Sequence, residues 1–161
     1  MHRAAVTLRG LAVFLTAIVL SGCGKSPDSA SSGHGHDHSH GHTPKYGGVL
    51  VELGHHENNL EFVLDQSAGK LTAYVLDAHA ENFVRLPVES FVVEAKVEDA
   101  PQTLTFRPVG NAATGEKPGD TSQFEATADW LKTAPKFSGK VVLLPIKSEV
   151  YRDVEFSLPN P

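Results

Sequence analysis

Residues 46–161 predict an all-β fold, an antiparallel β-sandwich of immunoglobulin-like type with about eight short strands, a small barrel being the alternative. Three observations carry that expectation. Apolar and polar residues alternate with period two from Tyr46 onward, clusters of Gly, Pro, Asn, Asp and Ser punctuate the alternation, and no long run has helical periodicity.

The strands follow in order. Val49 and Val51 open one that ends near Gly54. Leu60, Phe62 and Leu64 form the next, and Asp65-Gln66-Ser67-Ala68-Gly69 turns it into Leu71–Leu76 as a hairpin. The run Asp77-Ala78-His79-Ala80-Glu81-Asn82 breaks the pattern. Phe91, Val93, Ala95 and Val97 then share one face, with Glu94, Lys96 and Glu98 on the other, and Leu104 with Phe106 repeats the arrangement. Pro108–Thr121 reads as a long loop. Phe124, Ala126 and Ala128 alternate again, Asp129-Trp130-Leu131-Lys132 fits a single helical turn, and Val141–Ile146 with Val150–Leu158 closes the fold as a hairpin turning at Lys147-Ser148-Glu149. Trp130 and the phenylalanines at strand spacing read as core.

Upstream of this domain the texture changes. Residues 1–10 carry Arg3 and Arg9 and no acid, and Leu11–Leu20 is apolar over the length of a signal peptide, too short to span a bilayer comfortably. The run ends in Leu20-Ser21-Gly22-Cys23, which resembles the lipobox of bacterial lipoproteins. The resemblance implies that residues 1–22 are a removable signal peptide and that Cys23 is lipidated. It also implies attachment to the cell envelope, with Gly24 favouring the periplasmic side of the outer membrane. Several acyl chains anchor a protein stably where one is marginal. Cleavage removes two arginines and no acid, moving the formal charge from −5 to −7. This acidic balance disfavours nucleic acid as a partner. Cys23 is the only cysteine, so no disulfide staples the domain and stability rests on burial.

Residues 23–45 read as a flexible tether. Within it His34, His36, His38, His40 and His42 occupy every second position, separated by Gly35, Asp37, Ser39 and Gly41. Neutral imidazole offers a lone pair to borderline metals without a costly deprotonation. In extended chain, residues i and i+2 lie on one side about 7 Å apart, and glycine and serine let the backbone fold them onto one ion. The tract is therefore expected to bind a divalent transition metal ion such as zinc, copper, nickel or cobalt, and to do so as a mobile collector.

The folded part adds candidates. The segment Tyr46-Gly47-Gly48-Val49 through Gly54-His55-His56-Glu57 to Leu60-Glu61-Phe62-Val63-Leu64, then Leu71–Asp77, resembles a small exported bacterial domain. Such domains occur in histidine-rich lipoproteins and in the amino-terminal metal-binding region of periplasmic adaptor subunits of heavy-metal efflux systems. The resemblance covers roughly residues 42–90. It implies metal handling and a link to a metal efflux or uptake system, although the chain has no room for an adaptor's coiled-coil hairpin. Its pattern has histidine before the paired glycines, where this chain has Tyr46, so an ordered site built on that ligand is altered or lost. His55, His56 and His79 remain as metal-ligand candidates, with Glu52, Glu57 and Glu61 as possible companions. Adjacent His55 and His56 point apart in extended chain, so one of them is expected to join a given site. Gly47 and Gly48 answer a backbone need where the first strand begins.

No Gly-x-Ser-x-Gly elbow, phosphate-binding glycine loop, HExxH spacing or free nucleophilic cysteine points to catalysis, and the chain is read as non-enzymatic. Two functions fit these residues. One is an exported, membrane-anchored lipoprotein that captures, buffers or hands over divalent metal. The other is an envelope interaction module that docks through a strand edge or loop, with the histidine tract as a spacer.

Overall fold

The computed structural model describes residues 42–159. Eight strands follow in chain order: β1 Val49–Leu53, β2 Asn58–Asp65, β3 Lys70–Asp77, β4 Phe91–Val97, β5 Ala100–Pro108, β6 Gln123–Thr127, β7 Phe137–Ile146 and β8 Glu149–Leu158. A single 3₁₀ turn, Asp129–Lys132, lies between β6 and β7. All pairings are antiparallel, in the order β1-β2-β3-β6-β5-β4-β7-β8. The all-β antiparallel class and the strand number expected from the alternation are thus observed.

The eight strands make one sheet in two halves. β5 joins them, pairing with β6 only through Arg107 opposite Glu125 and Pro108 opposite Phe124. The sheet folds over at that short junction until β1 comes near β8. Side chains tie β8 to the β1–β2 turn and the start of β2: the Tyr151 hydroxyl donates to Glu57 Oε2 and accepts from Asn58 Nδ2, both at 2.9 Å. The geometry lies between a sandwich and a closed barrel.

What folds the sheet over is a run of aromatic contacts through the interior. Phe156 of β8 stacks on Phe62 of β2 at 4.2 Å, Phe62 meets Phe106 of β5 edge-on at 5.7 Å, Phe106 stacks on Phe91 of β4 at 4.7 Å, and Phe91 meets Phe124 of β6 at 5.4 Å. Offset-stacked and edge-to-face pairs contribute about 0.5–1.5 kcal/mol each beyond the area they bury. Leu53, Leu60, Leu71, Leu104, Leu144 and Ile146 fill the space around them.

Two details were not legible in the alternation. β7 begins at Phe137, four residues before the expected start, because Ser138-Gly139-Lys140 has turn-like composition yet runs extended. A Cβ on Gly139 would lie 2.4 Å from the Phe156 ring, its cross-strand partner, so the glycine is what lets that ring lie across the strand. β7 and β8 also keep a single register while the Val142–Asp153 pair is missing from the ladder. Asp153 has φ 51°, and at this pair both strands exchange their buried face, with Phe137, Val141, Phe156 and Leu158 buried on one side of it and Leu144, Ile146 and Tyr151 on the other.

The long loop is organised by a carboxylate rather than by a ladder. Glu116, 9% exposed, accepts from the Ser122 amide at 2.9 Å, the Ser122 hydroxyl at 2.6 Å and the Thr114 hydroxyl at 2.7 Å, with Arg85 Nε 3.8 Å away. Burial pushes its pKa up, but the hydrogen bonds from Ser122 and Thr114 and the Arg85 charge outweigh it and hold the carboxyl below its usual value. A depressed carboxylate stabilises the fold at pH above its unfolded-chain value of about 4.3, and that contribution disappears as pH falls through the lower folded value. Glu116→Gln is therefore expected to cost about 1–2 kcal/mol at neutral pH. Urea midpoints between pH 7 and pH 3 should show the difference between the two proteins narrowing at the acid end. A difference that stays constant across that range contradicts the assignment.

Candidate metal centre

Glu61 places the beginning of the domain. It sits between the core residues Leu60 and Phe62 on β2, so its side chain leaves the opposite face of the sheet, yet it is 0% exposed. Residues 45–48 lie over it. The Lys45 amide donates to Glu61 Oε2 at 2.8 Å, and the Tyr46 and Gly48 amides donate to Oε1 at 2.7 and 2.9 Å. Hydrogen bonds to an ionised acceptor are roughly twice as strong as neutral ones. Gly47 adopts the left-handed φ of 72°, and a Cβ on Gly48 would fall 2.3 Å from the Phe62 carbonyl oxygen. One glycine makes the turn and the other permits the close approach. Tyr46 stacks on Tyr74 at 4.1 Å, and the Lys45 ammonium lies over the Phe83 ring at 5.5 Å while donating to the Glu81 carbonyl. The fixed contacts of this segment thus include Lys45.

Two tight turns stand beside this segment. The β1–β2 connection, residues 54–57, has Gly54 at φ 68° and His56 at φ 61°. A histidine there needs support, because left-handed backbone is costly for any residue with a Cβ. Glu52 supplies it: its Oε1 accepts from the His56 amide at 2.9 Å, and its Oε2 lies 3.4 Å from His56 Nδ1. The second turn follows β3. Partial burial raises the Asp77 carboxyl, but hydrogen bonds from the Asn82 side chain and from the amides of Glu81, Asn82 and His79 prevail and bring it to about 2. The Ala80 amide donates to the Asp77 carbonyl at 3.0 Å, with Ala80 itself at φ 56°. Asn59, 1% exposed, donates its side-chain amide to the carbonyls of Asp77 and Ala78 at 2.8 and 3.1 Å. Because Leu53 pairs with Asn58 and Asn58 with Asp77, both turns project from the same end of adjacent strands.

The three segments converge on one another through histidine. The His42 ring lies 5.8 Å from that of His56 and 6.0 Å from that of His79, centre to centre, and the planes cross at 85° and 72°. His42 is half-buried, and His56 and His79 are exposed. His55 is exposed in the same turn and makes no ring contact with this trio among the described residues. Also among the described residues, no three histidine, cysteine or carboxylate groups already meet at the spacing of a bound ion. His34, His36, His38, His40 and Cys23 lie outside the described residues, as do the signal peptide and most of the tether. Of the acidic companions considered from the sequence, Glu57 is engaged by Tyr151 and Glu61 by three backbone amides, which leaves Glu52 beside the rings.

No protein-family model, no curated protein and no solved structure matches this chain.

The groups that hold the site were hard to read beforehand. Strand alternation places Glu61 on the solvent face, and only the glycine pair before β1 hinted that another segment would cover it. Asp77 followed at four and five residues by Glu81 and Asn82 is a local capping pattern, and its signal was visible only as a break between strands.

Proposed function

We propose that the protein is an exported, membrane-anchored lipoprotein that binds divalent transition metal ions through histidine. Cys23 carries the lipid, the alternating histidines collect the ion, and the β-domain supplies further imidazoles at the point where the tract joins it. The observation that carries this reading is the position of His42. The last histidine of the alternating run lies between two domain histidines distant from it in sequence and held by separately braced turns. A spacer gives no reason for its end to meet imidazoles. The residue types favour zinc, copper, nickel or cobalt over calcium or magnesium, which take oxygen ligands. The resemblance to adaptor subunits supports a task beside a metal efflux or uptake system, as buffering, capture or hand-over, and Gly24 after Cys23 supports the periplasmic side of the outer membrane. No sequence feature calls for catalysis.

The test is calorimetric titration of the mature chain, made soluble by Cys23→Ser, with Zn²⁺, Cu²⁺, Ni²⁺ and Co²⁺. A variant with serine at His34, His36, His38, His40 and His42 is measured beside it. The wild type is expected to take up more metal than the variant, and its affinity to fall between pH 7.5 and pH 5.5 as protons compete for the nitrogens. Identical isotherms for the two proteins remove the tract from the function.

A further inference from the structure

We propose, on the metal-binding reading above, that His42, His56 and His79 form a single ordered three-imidazole site, separate from the rest of the tract, with Glu52 as its positioning residue. The argument begins with distance. A metal–nitrogen bond of about 2.0–2.1 Å sets a ligating ring's centre about 3.2 Å from the ion, so two imidazoles at a tetrahedral angle have centres roughly 5 Å apart. The separations of His42 from His56 and from His79, 5.8 and 6.0 Å, exceed that by about 1 Å. Small side-chain rotations close the gap, and exposed side chains make such rotations within nanoseconds. Each ring hangs from a segment that has its own fixed contacts or adjoins one that does. His42 precedes the Glu61 clamp, His56 sits in the turn capped by Glu52, and His79 sits in the turn built on Asp77.

The electrostatics fit a divalent ion of borderline character. Three neutral imidazoles leave its charge uncompensated, and the Glu52 carboxylate stands one step behind. Its approach to His56 Nδ1 favours the tautomer with the proton on that nitrogen and leaves Nε2 free to ligate, the arrangement in which a carboxylate orients a metal-bound histidine. Three protein ligands leave one tetrahedral position for solvent or an incoming donor. The site also spans the junction between tether and domain. An ion bound there ties the root of the tract to both turns, so occupancy and the position of the tract are coupled.

The experiment uses the mature chain with Cys23→Ser and with serine at His34, His36, His38 and His40, titrated with Zn²⁺. One equivalent is expected to bind. His56→Ala or His79→Ala in that background should weaken it at least tenfold, and His55→Ala should leave it unchanged. Glu52→Gln keeps an oxygen for the His56 amide but loses the charged partner of Nδ1. It should leave the metal-free melting temperature in place while lowering affinity about 10–100-fold, and Glu52→Asp should recover part of the loss. Zinc binding by the wild type that vanishes in the four-serine protein overturns the ordered site and leaves the collecting tract standing. One equivalent that persists through both His56→Ala and His79→Ala also overturns it. A wild type that binds no zinc ends this inference and the reading beneath it together.

Discussion

Phe62→Ala is expected to lower the stability of the domain by about 3–5 kcal/mol, which for a chain of this size moves the melting temperature down by roughly 12–20 °C. The magnitude follows from where the ring sits. Phe62 is 0% exposed and touches aromatic rings from both halves of the sheet, Phe156 of β8 at 4.2 Å and Phe106 of β5 at 5.7 Å. Removing it deletes apolar area and also leaves a cavity where the folded-over sheet depends on contact across the interior. The neighbours cannot collapse into that space without moving strands that are held in register by their ladders. With a total stability of about 5–15 kcal/mol for typical domains, such a loss approaches global unfolding. Thermal melts followed by near-ultraviolet circular dichroism provide the check. Phe62→Leu, which keeps most of the volume, should recover much of the difference. An alanine variant that melts within about 4 °C of the wild type contradicts the role given to the aromatic run.

Glu61→Ala is expected to release residues 42–48 from the sheet. Three amides lose an ionised acceptor at once, and hydrogen bonds to charged groups are worth about 1.5–3 kcal/mol each. The cost to the fold stays below the sum of the three, at about 2–4 kcal/mol, because a released segment regains water at its amides. Glu61→Gln makes a sharper variant. Its carbonyl oxygen still serves Tyr46 and Gly48, but its amide nitrogen meets the Lys45 amide, donor against donor. Hydrogen exchange at Tyr46 and Gly48 should accelerate strongly in the alanine protein and moderately in the glutamine one, while exchange in β4 and β7 changes little. The consequence reaches the candidate site, since His42 is brought to His56 and His79 by this clamp. Zinc affinity should fall in Glu61→Ala even though no histidine has been altered. Protected amides at Tyr46 and Gly48 in that variant contradict the clamp.

The alternation of apolar and polar residues was enough to place eight strands, because the apolar face of each strand is written locally even where β2 and β3 bury residues on both faces. It did not show how the two halves close, since the Phe62–Phe156 and Tyr151–Glu57 contacts join residues more than ninety positions apart. Glycines misled and informed in turn. Gly139 imitated a turn inside β7, whereas Gly47 and Gly48 marked the place where the chain crosses tightly over β2. At the site, histidine identity was legible and grouping was not. Nothing local in the sequence separates His56 from His55, and the choice between them is made by a left-handed turn that Glu52 supports. The charged residues that build the site, Glu52, Glu61 and Asp77, looked like ordinary solvated side chains because the segments that engage them come from elsewhere in the chain or from backbone amides.

The central claim is that histidine nitrogen in this chain holds a divalent transition metal. X-ray absorption at the zinc edge, on the mature Cys23→Ser protein loaded with one equivalent of Zn²⁺ and desalted, addresses it directly. The expected spectrum has a first shell of nitrogen or oxygen at about 2.0–2.1 Å together with the outer-shell scattering of several imidazole rings. Zinc that is lost on desalting, or a first shell of oxygen without imidazole scattering, contradicts the claim.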